Sequence, residues 1–248
     1  MQETVVENPY GLQALIAQGN IVSRSILAVL LIMSFLTWFI MITKFLDQRR
    51  LKLQAIEAEK EFWSSTSLTD AISKLKGTSN PFRALAETGK QAYEYHEVNK
   101  TRLSSAIGTS EWITESLQRT ADAIISRIQN GLPVLASVGA TAPFVGLLGT
   151  VIGIYNALIA IGVSGQGSID KVAGPVGEAL IMTAIGLVVA VPAVLGYNIL
   201  LRRNKVVQER VSHFTHELHA YLISGSKMGL GMDKPASPVG KPAAAPAR

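Results

Sequence analysis

Three stretches of the chain, residues 25–43, 128–169 and 172–201, are almost free of charge, and Glu178 is the only charged side chain in any of them. A helix that rises 1.5 Å per residue needs about 20 apolar residues to cross a bilayer. The first and third stretches suit one crossing each. The second is about twice as long as one crossing requires, so part of it lies outside the hydrocarbon. The pattern predicts an all-α membrane protein with three transmembrane helices.

The flanks set the orientation. Residues 1–23 contain no Lys or Arg, whereas Lys44, Arg49, Arg50 and Lys52 follow the first span and Arg202, Arg203 and Lys205 follow the third. Basic flanks stay on the cytoplasmic side. This puts the N-terminus outside and the C-terminus inside. The start of the chain lacks the basic residues and the small-residue cleavage site of a secretory signal, so the first span is expected to remain as an anchor.

The expected layout follows from these limits. Residues 1–23 form an outer segment, 24–43 the first span, and 44–130 a cytoplasmic helical domain with mixed charge. Residues 131–162 form a long helix that includes the second span, 163–171 a glycine-rich outer hairpin, and 172–201 the third span. Residues 202–225 form a cytoplasmic amphipathic helix and 226–248 a disordered tail rich in Gly, Pro, Ala and Lys. Within the cytoplasmic domain, turn formers at 76–81 mark a break. A helix should start at Pro81. Another is marked by the stripe Ile113, Leu117, Ala121, Ile124 and Ile128, with no breaker before Gly131. This stripe predicts one helix that rises from the cytoplasm straight through the membrane.

The chain has no cysteine, which excludes disulfides and thiolate sites. The net charge of +5 sits beside the spans, so topology explains it without nucleic acid. His213, His216 and His219 fan around a helix by about 300° and read as solvated side chains, not metal ligands. No nucleotide-binding loop, Ser/His/Asp arrangement or paired carboxylates mark an enzyme, and the reading calls for no cofactor and no metal.

The polar residues inside the spans carry the functional argument. A carboxylate in hydrocarbon costs at least about 2.5 kcal/mol unless it is protonated, paired or wetted. Glu178 therefore marks a functional site, with snorkelling to the outer interface as the alternative. Thr150 and Thr183 lie at one depth, roughly 18–20 Å below the hairpin, and Glu178 lies about 7.5 Å nearer the outside. They fit the polar lining of an apolar passage. Each threonine alone is equally well explained by a hydroxyl bonded to its own helix. Gly146, Gly149, Gly153 and Gly186 occur among small residues at helical spacing, which lets membrane helices approach closely, within one subunit or between subunits of a ring.

The run Gly139-Ala140-Thr141-Ala142-Pro143-Phe144-Val145-Gly146-Leu147-Leu148-Gly149-Thr150-Val151 resembles the ExbB/TolQ/MotA proton-channel family. So does Gly177-Glu178-Ala179-Leu180-Ile181-Met182-Thr183-Ala184-Ile185-Gly186-Leu187, and the length and three spans are most similar to the ExbB branch. The resemblance covers residues from about 15 to 225. It implies a homopentamer in the bacterial inner membrane, with a periplasmic N-terminus and a cytoplasmic C-terminus. The ring would surround an ExbD-like single-span protein with a membrane Asp and act on a TonB-like protein, coupling proton motive force to iron-siderophore and vitamin uptake. It also implies that Glu178, Thr150 and Thr183 line the pore. A TolQ-like subunit of the Tol-Pal envelope motor and a non-conducting scaffold are the alternatives.

Overall fold

The computed structural model describes residues 20–65, 67–77, 80–98, 108–164 and 169–225, and all its regular structure there is helical. In chain order the helices are α1 (Ile21–Glu57), α2 (Leu68–Lys74), α3 (Pro81–Val98), α4 (Thr109–Gln129), α5 (Leu132–Ser164) and α6 (Ile169–Ser224). A π-helical turn, Ala58–Phe62, continues α1. Three helical stretches, containing α1, α5 and α6, are long and apolar enough to cross a membrane. The outer segment and the tail expected at 1–23 and 226–248 fall outside the described residues, apart from 20–23 at the start of α1.

Local sequence sets the helix ends. The Asn20 side chain caps α1 by accepting from the Ile21 amide at 2.7 Å. Asn80 caps α3 by accepting from the Phe82 amide at 3.0 Å, just before Pro81, whose missing N–H is no loss in a first turn. The rise from cytoplasm into membrane is not the single helix that the α4 stripe predicts. Asn130 and Gly131 break it, and Gly131 has φ of 89°. That left-handed conformation suits glycine and ends α4 before α5 begins.

The third span shows the opposite departure. Its helix does not stop at residue 201: α6 runs for 56 residues, about 84 Å, from Ile169 past the membrane core and into the bundle with α3 and α4. The charged run that starts at Arg202 holds good helix formers. It therefore marks the membrane edge and not a helix end. At the expected hairpin, 163–171, α5 continues to Ser164 and α6 starts at Ile169, and residues 165–168 lie outside the described residues.

Two large cores, and a small cluster of Leu132, Leu135 and Leu200, hold the described helices together. The larger core combines α3, α4, the C-terminal part of α1 and the distal half of α6 through Phe82, Leu85, Ile113, Leu117, Val211 and Leu218. Phe214 is its centre, with ring centroids 5.1 Å from Phe62 and 5.3 Å from Phe82 in edge-on geometry. The membrane core joins α1, α5 and α6 through Leu30, Ala142, Met182 and Ala193. Large side chains such as Phe35, Trp38 and Phe39 on α1 stay exposed, as lipid-facing groups would. Between the cores, Gln48 Nε2 donates to the Leu200 carbonyl at 3.1 Å and to Asn204 Oδ1 at 2.6 Å. Asn204 Nδ2 in turn donates to the Ile128 carbonyl at 3.2 Å. This buried network ties α1, α4 and α6 together.

Candidate functional site

The site is built on a close backbone contact between α5 and α6. Gly146 and Gly186 face each other. A Cβ at Gly146 would lie 2.7 Å from the Met182 carbonyl oxygen, and one at Gly186 would lie 2.8 Å from that of Ala142. Gly149 and Gly153 repeat the pattern, each with a virtual Cβ under 3.0 Å from Met182 or Ala179 side-chain atoms. Without side chains at these points the two backbones come near enough for short polar side chains to meet across the seam.

Thr150 and Thr183 meet there. Their hydroxyls are hydrogen-bonded to each other, and Thr150 Oγ1 also lies 3.0 Å from the Ala179 carbonyl and 3.3 Å from the Gly146 carbonyl on its own helix. Both side chains are half-buried. One turn away on the same helix faces stand Leu147 and Ile154 of α5 and Leu180 and Leu187 of α6. These are 50%, 38%, 60% and 50% exposed. The pair is thus the polar centre of an apolar surface that the subunit leaves uncovered.

Glu178 lies on another face. Five residues from Thr183, it is turned by about 140° around α6. It lines a cavity of about 170 Å³ between α1, α5 and α6, together with Asn20, the cap of α1, Ser23 of α1 and Asn156 of α5. This space can hold several waters and offers them polar partners on every helix. The alignment of a carboxyl directly above the two threonines is therefore not what the structure contains. The two polar sites share the α5–α6 pair but face different neighbours.

Asn156, Ser23 and Asn20 were not singled out from sequence. Asn156 carried a signal: an amide in an apolar helix, three and seven residues beyond Gly153 and Gly149, hence on the same face. It stands eight residues before Ser164, while Glu178 stands nine after Ile169, so the two share a depth. Ser23 and Asn20 could not be placed without knowing how α1 docks. Of the three histidines, His213 faces Glu217 at 3.8 Å and His219 faces the Ser110 hydroxyl at 3.1 Å. Among the described residues no group of three His, Cys, Asp or Glu could hold a metal.

These features define a multi-pass helical membrane protein with two polar sites inside its spans. Residues 81–213 match the MotA/TolQ/ExbB proton channel family. The chain is 41% identical over 212 residues to the biopolymer transport protein ExbB of Xanthomonas campestris pv. campestris strain B100, covering 84% of each chain. It is 37% identical to that of Neisseria meningitidis serogroup A, covering 86% of this chain and 97% of the relative. It is also 31% identical to the Tol-Pal system protein TolQ of Pseudomonas aeruginosa, covering 90% and 96%. The chain belongs to the MotA/TolQ/ExbB proton channel family.

Proposed function

We propose that this protein is an inner-membrane proton-channel subunit of a TonB-type motor, which couples proton motive force to active transport across the outer membrane. In this reading the N-terminus is periplasmic and the C-terminus cytoplasmic. Copies assemble into a homopentamer around an ExbD-like single-span partner with a membrane Asp, and the motor acts on a TonB-like protein. The observation that carries the reading is the Thr150–Thr183 hydroxyl pair, set in an exposed apolar surface at mid-span. The identities of 41% and 37% to proteins named ExbB favour the TonB branch.

The hydroxyl pair suits a partner carboxyl in both of its protonation states. In one arrangement Thr183 donates to Thr150 and Thr150 donates to the Ala179 carbonyl. The free lone pairs of Thr183 then accept from a neutral carboxylic acid. In the other, Thr150 donates to Thr183, and Thr183 donates outward to a carboxylate. Rotation of two hydroxyls converts one into the other without breaking a covalent bond. Glu178, with Asn20, Ser23 and Asn156, supplies the wet outer end of the path.

The test is proton flux in proteoliposomes that hold the full complex, with siderophore uptake measured in cells. Thr183→Val keeps the shape and removes the hydroxyl, and is expected to abolish both; Thr183→Ser is expected to retain them. Full flux in the valine variant would reject the proton path and favour a non-conducting scaffold. The 31% identity to a TolQ supports a second reading, a Tol-Pal envelope motor. A deletion strain with normal iron uptake but detergent sensitivity would select it.

A further inference from the structure

A second cavity lies at the other end of the spans, where α1 leaves the membrane core beside the end of α4. It measures about 330 Å³, and its polar lining includes Lys44, Asp47, Gln48, Asn80, Arg50 and Arg127. Lys44 is the first charged residue after the apolar stretch of α1, and Arg127 the last before the apolar stretch that leads into α5. Both therefore stand at the depth of lipid headgroups. Lys44 is held in place, since its Nζ donates to the Arg127 carbonyl at 3.2 Å. Three cations face one carboxylate, a surplus of two positive charges, and among the described residues none of the three forms an ion pair. The wall also contains Gln48, which is 6% exposed. Its Nε2 is occupied by Leu200 and Asn204, while its Oε1 has no hydrogen-bond partner. The cavity thus combines an unbalanced positive field with a buried acceptor, at the level where phosphates and headgroup donors reside.

We propose that this cavity binds the phosphate group of an anionic phospholipid. Lys44, Arg50 and Arg127 would contact the phosphate, and an –OH donor on the headgroup would lie toward Gln48. Basic pockets between membrane helices take such headgroups, and each Lys or Arg near the surface adds about 1 kcal/mol of attraction. Asp47 disfavours a headgroup with further anionic groups on its side. Lipid bound here would also bridge α1 to α4 beside the Gln48–Asn204 network.

The experiment uses the full chain in detergent. It is exchanged into mixed micelles with phosphatidylglycerol or phosphatidylcholine, and bound lipid is counted by native mass spectrometry. Phosphatidylglycerol is expected to be retained and phosphatidylcholine lost. The double variant R50Q/R127Q should retain phosphatidylglycerol about thirty-fold more weakly, from two lost charges. R50K/R127K should restore retention, and R49Q, whose guanidinium stacks 4.7 Å over the Phe45 ring instead, should leave it unchanged. If the double variant fails to assemble, R50Q alone should weaken retention about five-fold. Equal retention of the two lipids, or undiminished retention in R50Q, would overturn the proposal. Displacement of the lipid by millimolar inorganic phosphate would overturn it as well, by making free phosphate the ligand.

Discussion

Adding one methyl group at Gly146 tests the α5–α6 seam. The new Cβ in Gly146→Ala would stand 2.7 Å from the Met182 carbonyl oxygen, 3.1 Å from Gly186 Cα and 3.2 Å from Thr183 Cα. All three neighbours are backbone atoms, so no side chain can swing aside. To bring the closest contact to about 3.2 Å the helices must separate by about 0.5 Å, since repulsion rises steeply inside van der Waals range. Overpacking of this kind costs about 1–3 kcal/mol, and the unyielding backbone argues for the upper half of that range. Alanine recovers up to about 1 kcal/mol over glycine in helix propensity. The net expectation is a loss of about 1–2 kcal/mol. Thr150 is one turn along the same helix, so the opening also reaches the hydroxyl pair. A normal hydrogen bond stretched by about 0.5 Å leaves the useful range. The control is Gly162→Ala, where a Cβ meets nothing within 4 Å. Thermal unfolding in detergent and siderophore uptake in cells should both fall for Gly146→Ala and stay level for Gly162→Ala. A Gly146→Ala protein as stable and active as the control would refute the claim that backbone contact at this seam positions the threonines.

Three further outcomes follow from other parts of the molecule. Asn156→Leu removes the one polar side chain that α5 contributes, among the described residues, to the cavity at Glu178. It should slow proton flux about tenfold, the rate equivalent of one lost hydrogen-bond partner for a buried group, and leave assembly unchanged on size-exclusion chromatography. Phe214→Ala empties the centre of the aromatic cluster in the larger core and should destabilise the fold by about 3–5 kcal/mol, read as a lower unfolding temperature by circular dichroism. Gly131→Val forces a β-branched residue into φ of 89° and places a Cβ 3.1 Å from an Ile40 side-chain carbon. It should destabilise by at least about 1–2 kcal/mol, detected as faster proteolysis between α4 and α5.

Much of the architecture was legible because the membrane allows few solutions. Charge-free windows identify spanning helices, since an unpaired backbone or charged group in hydrocarbon costs several kcal/mol. The stripe Ile113, Leu117 and Ala121 proved to be the buried face of α4 because 3.6-residue periodicity reports which side meets a core. Helix continuity was harder to read. The Arg202–Lys205 charges look like the start of a new element, yet a helix changes solvent at the membrane edge without changing its hydrogen bonds. Conversely, Gly131 is a lone glycine between two helical patterns. Only its backbone geometry shows that it ends one helix and begins another.

The polar residues inside the spans show what one-dimensional spacing can and cannot say. Depth follows from residue count, so Thr150 and Thr183 could be matched in height, and the structure brings their hydroxyls into contact. Azimuth also follows from count, at 100° per residue, and it already separates Glu178 from Thr183 by about 140°. A shared depth range says nothing about a shared face. What no count supplies is the neighbour on each side. Asn20 and Ser23, at the start of α1, line the same cavity as Glu178, while the threonine face keeps exposed Leu147, Leu180 and Leu187 around it. Two ionisable or hydroxylic sites on one helix pair can therefore belong to different environments. A variant at Glu178 and one at Thr183 should then be read as tests of two places, the first inside the subunit and the second on its uncovered surface.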